Sequence, residues 1–171
     1  MSIDNSIVGL GVALLLWGQS ALGINNAQVA LDISAQSVAR VALYYDGKPL
    51  SDNQLDFPLP VDSGNGKFEQ TSSYFWLVGN VDRAEIVFAE NNFILPEKSN
   101  PYATIELRGN FIFNGVERSA KQKLTMPVLK DITRRRNDNG ARVHFSSEYP
   151  ASHYAQGRYA NTFTLLITPI V

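Results

Sequence analysis

His144 and His153 are the only histidines in the 171 residues, and cysteine is absent. Disulfides, cysteine-zinc sites and thiolate nucleophiles are therefore excluded together. Neither histidine has a metal-binding spacing or a sequence neighbour that would orient it as a base. His144 lies in an alternating strand pattern, where a surface or satisfied core histidine is the ordinary reading. The chain contains no G-x-S-x-G elbow, P-loop, G-x-G-x-x-G or H-E-x-x-H. Its carboxylates are scattered, and although two could meet as a glycosidase pair, the sequence does not select which. No catalytic residue, metal ligand or cofactor site is assigned, and the chain is expected not to be an enzyme. Two groups remain that could hold a ligand. Arg134-Arg135-Arg136 could meet a phosphate or an acidic glycan, but Asn137-Asp138-Asn139-Gly140 follows directly, and such a run is usually a solvated loop. Tyr44, Tyr45, Tyr149, Tyr154 and Tyr159 could stack on sugar rings, although most β-sandwiches use such residues for packing. That leaves a secreted carbohydrate-binding or adhesin module as the alternative function.

The elements that would position these residues are strands. A hydrophobic content of 44% and an aromatic content of 11% suit one packed domain, and a net charge of −1 gives no basic face for nucleic acid. Residues 40–45 alternate and run into Asp46-Gly47, a turn pair able to take positive φ. Residues 54–61 place Leu55, Phe57, Leu59 and Val61 on one face, with Pro58 and Pro60 confining the segment to an edge. Residues 73–78, SYFWLV, are almost continuously apolar and predict a central strand with Trp76 as a core anchor. Further strand patterns cover 83–89, 93–95, 102–108, 111–113, 116–126, 141–145 and the end of the chain, with Asn114-Gly115 as a hairpin turn and 129–142 as a polar loop. Eight to ten short strands without helical periodicity predict an antiparallel β-sandwich.

The two ends carry the most information. Residues 7–17, IVGLGVALLLW, form an uncharged apolar run shorter than the roughly 20 residues a bilayer span needs. Ala21-Leu22-Gly23 supplies small residues for a signal peptidase, so residues 1–23 are expected to be a leader cleaved before Ile24. Only Asp4, and no Lys or Arg, precedes the apolar core, which is unusual for an export signal. Directly behind it, residues 24–36 contain Ala27, Val29, Leu31, Ile33 and Ala35 in phase on one face of a period-two pattern. This stretch is either the first strand of the domain or a spare strand able to complete another copy's sheet.

The closing stretch, Gly157-x-Tyr159-x3-Phe163-x-Leu165-x-Ile167, resembles the last strand of fimbrial subunits. Residues 28–35 followed by Asp46-Gly47-Lys48-Pro49-Leu50 are similar to the N-terminal region of the cysteine-free CS1-type pilins of the alternate chaperone-usher route. The resemblance implies an all-β, immunoglobulin-like antiparallel sandwich over residues 37–171 that is incomplete and is completed by a donor strand from a neighbouring subunit. It implies a structural fimbrial subunit exported through the periplasm to the cell surface, supporting adhesion there. Its partners would be other fimbrial subunits, a periplasmic chaperone and an outer-membrane usher, with a host glycan as a possible receptor. By the same resemblance, Ala27, Val29, Leu31, Ile33 and Ala35 would be the donor residues. Gly157, Tyr159, Phe163, Leu165 and Ile167 would form the acceptor groove and chaperone contact.

Overall fold

The structure is a computed structural model and describes residues 37–50 and 54–171. The expected leader and donor strand, residues 1–36, lie outside the described residues. Ser37–Val171 forms one compact unit.

Two long strands organise the first layer. In β7 (Thr104–Phe113), Ile105, Leu107, Gly109 and Phe111 are buried while Thr104, Glu106 and Arg108 face out. In β10 (Ala141–Pro150), Ala141, Val143, Phe145 and Ser147 are buried in the same rhythm. They pair antiparallel from Ala141↔Phe113 to Ser147↔Leu107, which puts both apolar halves on one face. The far edge of β7 is shared by β6 (Phe93–Pro96) and β8 (Val116–Ser119). The far edge of β10 is taken by β3 (Lys67–Thr71). The chain breaks at Ser72, whose hydroxyl accepts the Val143 N–H at 2.8 Å, and continues as β4 (Phe75–Gly79). β4 pairs with β1 (Val41–Tyr45), which returns through a tight turn as β2 (Lys48–Pro49). Asp46 and Gly47 in that turn have φ of 51° and 76°, as a two-residue hairpin needs, and Asn114 and Gly115 repeat the geometry between β7 and β8.

The second layer sets β5 (Arg83–Phe88) between β9 (Leu124–Leu129) and β11 (Leu165–Ile170). β9 changes layers along its length. Its first part runs antiparallel to β5, and beyond Pro127 its Val128 and Leu129 lie parallel to Leu77 and Val78 of β4. The layers close on an aromatic centre. Phe88 of β5 meets Phe93, Phe111 and Phe145 of the first layer at 5.3, 5.7 and 5.7 Å between ring centroids. Phe93 and Phe111 are wholly buried, and aromatic pairs of this kind add about 0.5–1.5 kcal/mol each beyond the area they cover. The fold is an all-β, immunoglobulin-like sandwich, antiparallel except at the β4–β9 junction.

Several strands differ from the sequence expectation for local reasons. Residues 102–113 form one strand, since Gly109 and Asn110 continue the alternation. Gly109 is buried because a Cβ there would lie 2.7–2.8 Å from the Phe145 and Phe93 rings. Residues 116–126 divide between β8 and β9, because Ala120 is tucked into the core and Gln122 turns back onto Ser119. Residues 54–61 form only a bridge, Val61↔Phe68, while Phe57 reaches Phe145 at 5.9 Å. β3 had no clear signature: every residue of KFEQT is half-buried. Trp76 is buried, but on the outer side of β4. There its indole N–H donates to the Arg136 carbonyl at 3.0 Å, and Gly140 packs so close to the indole that no side chain would fit. It anchors the arginine loop rather than the core between the layers.

Candidate functional site

β11 is an edge strand. Its residues pair with β5 from Leu165↔Phe88 to Ile170↔Arg83, and among the described residues its opposite edge has no strand partner. Pro169 in its run is a residue that central strands avoid and edges tolerate. Leu165 and Ile167 point inward onto the core but are only half-buried, whereas Leu166, 46% exposed, points away from it. Phe163, just before the strand, packs edge-on against Phe93 at 5.2 Å and lies 5.8 Å from Phe145, again half-buried. The core is thus lined here by large apolar side chains that no neighbouring strand covers among the described residues. An open edge that displays its backbone N–H and C=O groups beside such side chains can accept an added strand.

The approach to β11 is fixed by one carboxylate. Glu97 accepts backbone N–H groups from Ser99, Asn100 and Arg158, while Tyr159 bridges to its backbone and Lys98 donates to the Arg158 carbonyl. Partial burial pushes the Glu97 carboxyl up, but the backbone N–H groups of Arg158, Ser99, Asn100 and Lys98 outweigh this and hold it below the usual glutamate range. Gly157 is needed beside it, since a Cβ there would lie 2.5 Å from the Glu97 Cγ. The chain then crosses to the second layer, where Glu90 accepts the Thr164 N–H at 2.9 Å and Ala89 donates to the Thr164 carbonyl.

The five closing residues thus fall into two groups. Phe163, Leu165 and Ile167 share the inner side of the open edge. Gly157 and Tyr159 sit beside β6, where the Tyr159 hydroxyl donates to the Ala155 carbonyl, and they position the segment rather than line the edge. Glu90 gave no sequence signal, because Thr164 lies 74 residues away, and Glu97 joins its local partners Ser99 and Asn100 to Arg158, 61 residues away. The five residues expected to donate, Ala27, Val29, Leu31, Ile33 and Ala35, lie outside the described residues.

The other candidates are also placed. His144 has partners the sequence did not reveal: its Nδ1 is 2.9 Å from the Thr71 hydroxyl and its Nε2 is 3.4 Å from Glu69, so it ties β3 to β10 across the outside of the sheet. Arg134, Arg135 and Arg136 are exposed on a loop of short 3-10 turns. Arg136 pairs with Asp138 at 3.4 Å, and Asp131 is held below the usual aspartate range by its bonds to Thr133 and, less strongly, by the Arg134 charge. Tyr45 faces the core, 5.0 Å from Phe75, whereas Tyr149, Tyr154 and Tyr159 gather with His153 around a surface hollow. Among the described residues no three His, Cys, Asp or Glu side chains are placed to hold a metal ion, and no helix is long and apolar enough to cross a membrane.

No protein-family model and no curated protein matches the sequence. Solved structures do match the fold. A chain from the chaperone-tip adhesin complex of CFA/I fimbriae biogenesis aligns with a TM-score of 0.50 at 14% identity, over 76% of this chain and 42% of that one. CfaE, the adhesive subunit of the CFA/I fimbria of enterotoxigenic Escherichia coli, aligns with a TM-score of 0.40 at 10% identity, over 76% of this chain and 48% of its own. This chain therefore spans less than half the length of either, and at 14% identity the first likeness is one of fold.

Proposed function

We propose that this protein is a structural subunit of a bacterial surface fimbria, exported through the periplasm by a chaperone and usher and polymerised by donor-strand exchange. The observation that carries the reading is the edge of β11, which has no strand partner among the described residues and where Phe163, Leu165 and Ile167 lie half-covered above the aromatic core. The sandwich it shares with a chain from a fimbrial chaperone-tip adhesin complex supports the same assignment.

In this mechanism residues 24–36 of one subunit lie along β11 of the next. Ala27, Val29, Leu31, Ile33 and Ala35 enter the space above the core while the backbone completes the ladder. Each large aliphatic side chain contributes about 1.5–3 kcal/mol when buried, so Val29, Leu31 and Ile33 with a ladder of main-chain bonds make a tight joint without nucleotide hydrolysis. Before assembly the chaperone covers the same edge, which would otherwise invite aggregation.

The donor and acceptor roles separate by mutation. Leu31→Asp or Ile33→Asp is expected to stop fibre growth, because a carboxylate cannot be buried there unpaired, while capture by the chaperone through β11 is retained. Electron microscopy of cells co-expressing chaperone and usher reads the first effect, and co-purification with the chaperone reads the second. Normal fibres from either variant would contradict the donor role.

A further inference from the structure

Outside the β11 edge, the outer face of the first layer carries a hollow of about 360 Å³ between β7, β10 and the turn that follows β10. Its lining combines two carboxylates, Glu106 and Glu148, with four rings, Tyr149, His153, Tyr154 and Tyr159. The carboxylates are the unusual feature. Ser147 pairs with Leu107, and the next residues along each strand, Glu148 and Glu106, both line this hollow. Like charges close together on neighbouring strands destabilise a sheet. Arg108 approaches Glu148 from the side at 3.6 Å with most of its side chain in solvent, and among the described residues Glu106 has no ion pair.

Hydrogen bonds and ring contacts hold these side chains around the hollow. Tyr154 accepts the Tyr149 N–H on its hydroxyl at 3.1 Å, and the Tyr159 hydroxyl donates to the Ala155 carbonyl at 2.9 Å. Tyr149 lies against His153 at 4.3 Å with the rings tilted by 33°, and Tyr154 meets His153 edge-on at 5.5 Å. Aromatic faces attract cations through their quadrupole, and the attraction strengthens beside carboxylates. A neutral sugar could stack on the same rings, but it would leave the Glu106 charge without a counter-ion.

We propose that this hollow binds an organic cation, an ammonium or guanidinium group, with Glu106 and Glu148 supplying the counter-charge and Tyr149, His153, Tyr154 and Tyr159 the aromatic wall. The site is independent of the β11 edge and does not require the fimbrial reading. The cation would be a small quaternary ammonium or a basic amino-acid side chain, and the test separates these sources.

The full chain, isotope-labelled, is titrated by NMR with tetramethylammonium chloride and with Nα-acetyl-arginine methyl ester. Sodium chloride controls for ionic strength, and tert-butanol and a methyl galactoside serve as neutral comparators. At least one of the two cations should shift the amide signals of Glu106, Glu148, Tyr149 and His153 saturably in the millimolar range, and the one that binds more tightly identifies the source. In Glu106→Gln/Glu148→Gln that binding should weaken by at least about fivefold, while the melting temperature holds or rises because the like charges are gone. Tyr149→Ala, at a residue 47% exposed and outside the core, removes part of the wall and should weaken binding similarly. Equal binding of a neutral comparator, no saturable shift with either cation, or undiminished binding in both variants would overturn the proposal.

Discussion

Glu97 shows how a single residue far from the open edge governs it. Its carboxylate gathers backbone N–H groups on both sides of a chain crossing and holds the chain at Arg158 beside β6, while Glu90 holds Thr164 at the start of β11. A carboxyl held below its ordinary value contributes stability that is present above the unfolded pKa and lost as pH falls through the folded one. For Glu97 the window opens at the ordinary value of 4.5 and extends below it, with Asp131 adding to the loss in the same direction. Wild-type protein is therefore expected to lose melting temperature as pH falls below that value. Glu97→Gln should be less stable at neutral pH and show a flatter acid limb, which a pH series of thermal melts would measure. Gly157→Ala should mimic the neutral-pH loss by pushing Glu97 off its partners. Ser99 and Asn100 are near enough in sequence to form a local turn with Glu97, but the Arg158 N–H that makes it a clamp comes from 61 residues away and was not legible. The same holds for His144, which alternation placed on a strand but whose partners Glu69 and Thr71 come from another strand.

Among the strands, alternation was informative wherever one face meets the core and the other meets water. That condition holds for β1 and β5, whose patterns the structure reproduces, for β7, whose two read pieces join through Gly109 and Asn110, and for β10, of which only the first half was read. It fails for β3, which is half-buried throughout, and for residues 54–61, where Phe57 packs on Phe145 without making a ladder. It is incomplete for Trp76, whose aromatic neighbours suggested the core while the Arg136 carbonyl draws it to the outside of the sheet. The closing stretch was read as one strand, but Glu97 and Glu90 divide it into a clamp and an edge. Phe163→Ala tests whether the edge is integral to the core. Because the ring is half-buried, the loss should be about 1–3 kcal/mol, below the roughly 3–5 kcal/mol of a fully buried phenylalanine. Denaturant unfolding would read it, and a loss near zero would mean that Phe163 does not support the aromatic centre.

At the level of the molecule, the sandwich has a well-packed centre around Phe88, Phe93, Phe111 and Phe145 and an incompletely covered flank at β11. The all-β class followed from strand spacing, but the layer change of β9 at Pro127 and its parallel contact with β4 depend on contacts distant in sequence. In the proposed fibre the flank is where one subunit receives the next, so stability of the isolated subunit and growth of the fibre are two readings of the same edge. Moving residues 24–36 through a flexible linker to the C-terminus lets each molecule fill its own edge. Burial of Val29, Leu31 and Ile33, less the entropy of ordering the segment, should raise the melting temperature by about 10 °C or more relative to a chain lacking residues 1–36. The same rearranged chain should no longer accept a second copy. A rearranged protein that melts with the truncated one would contradict donor-strand exchange at β11.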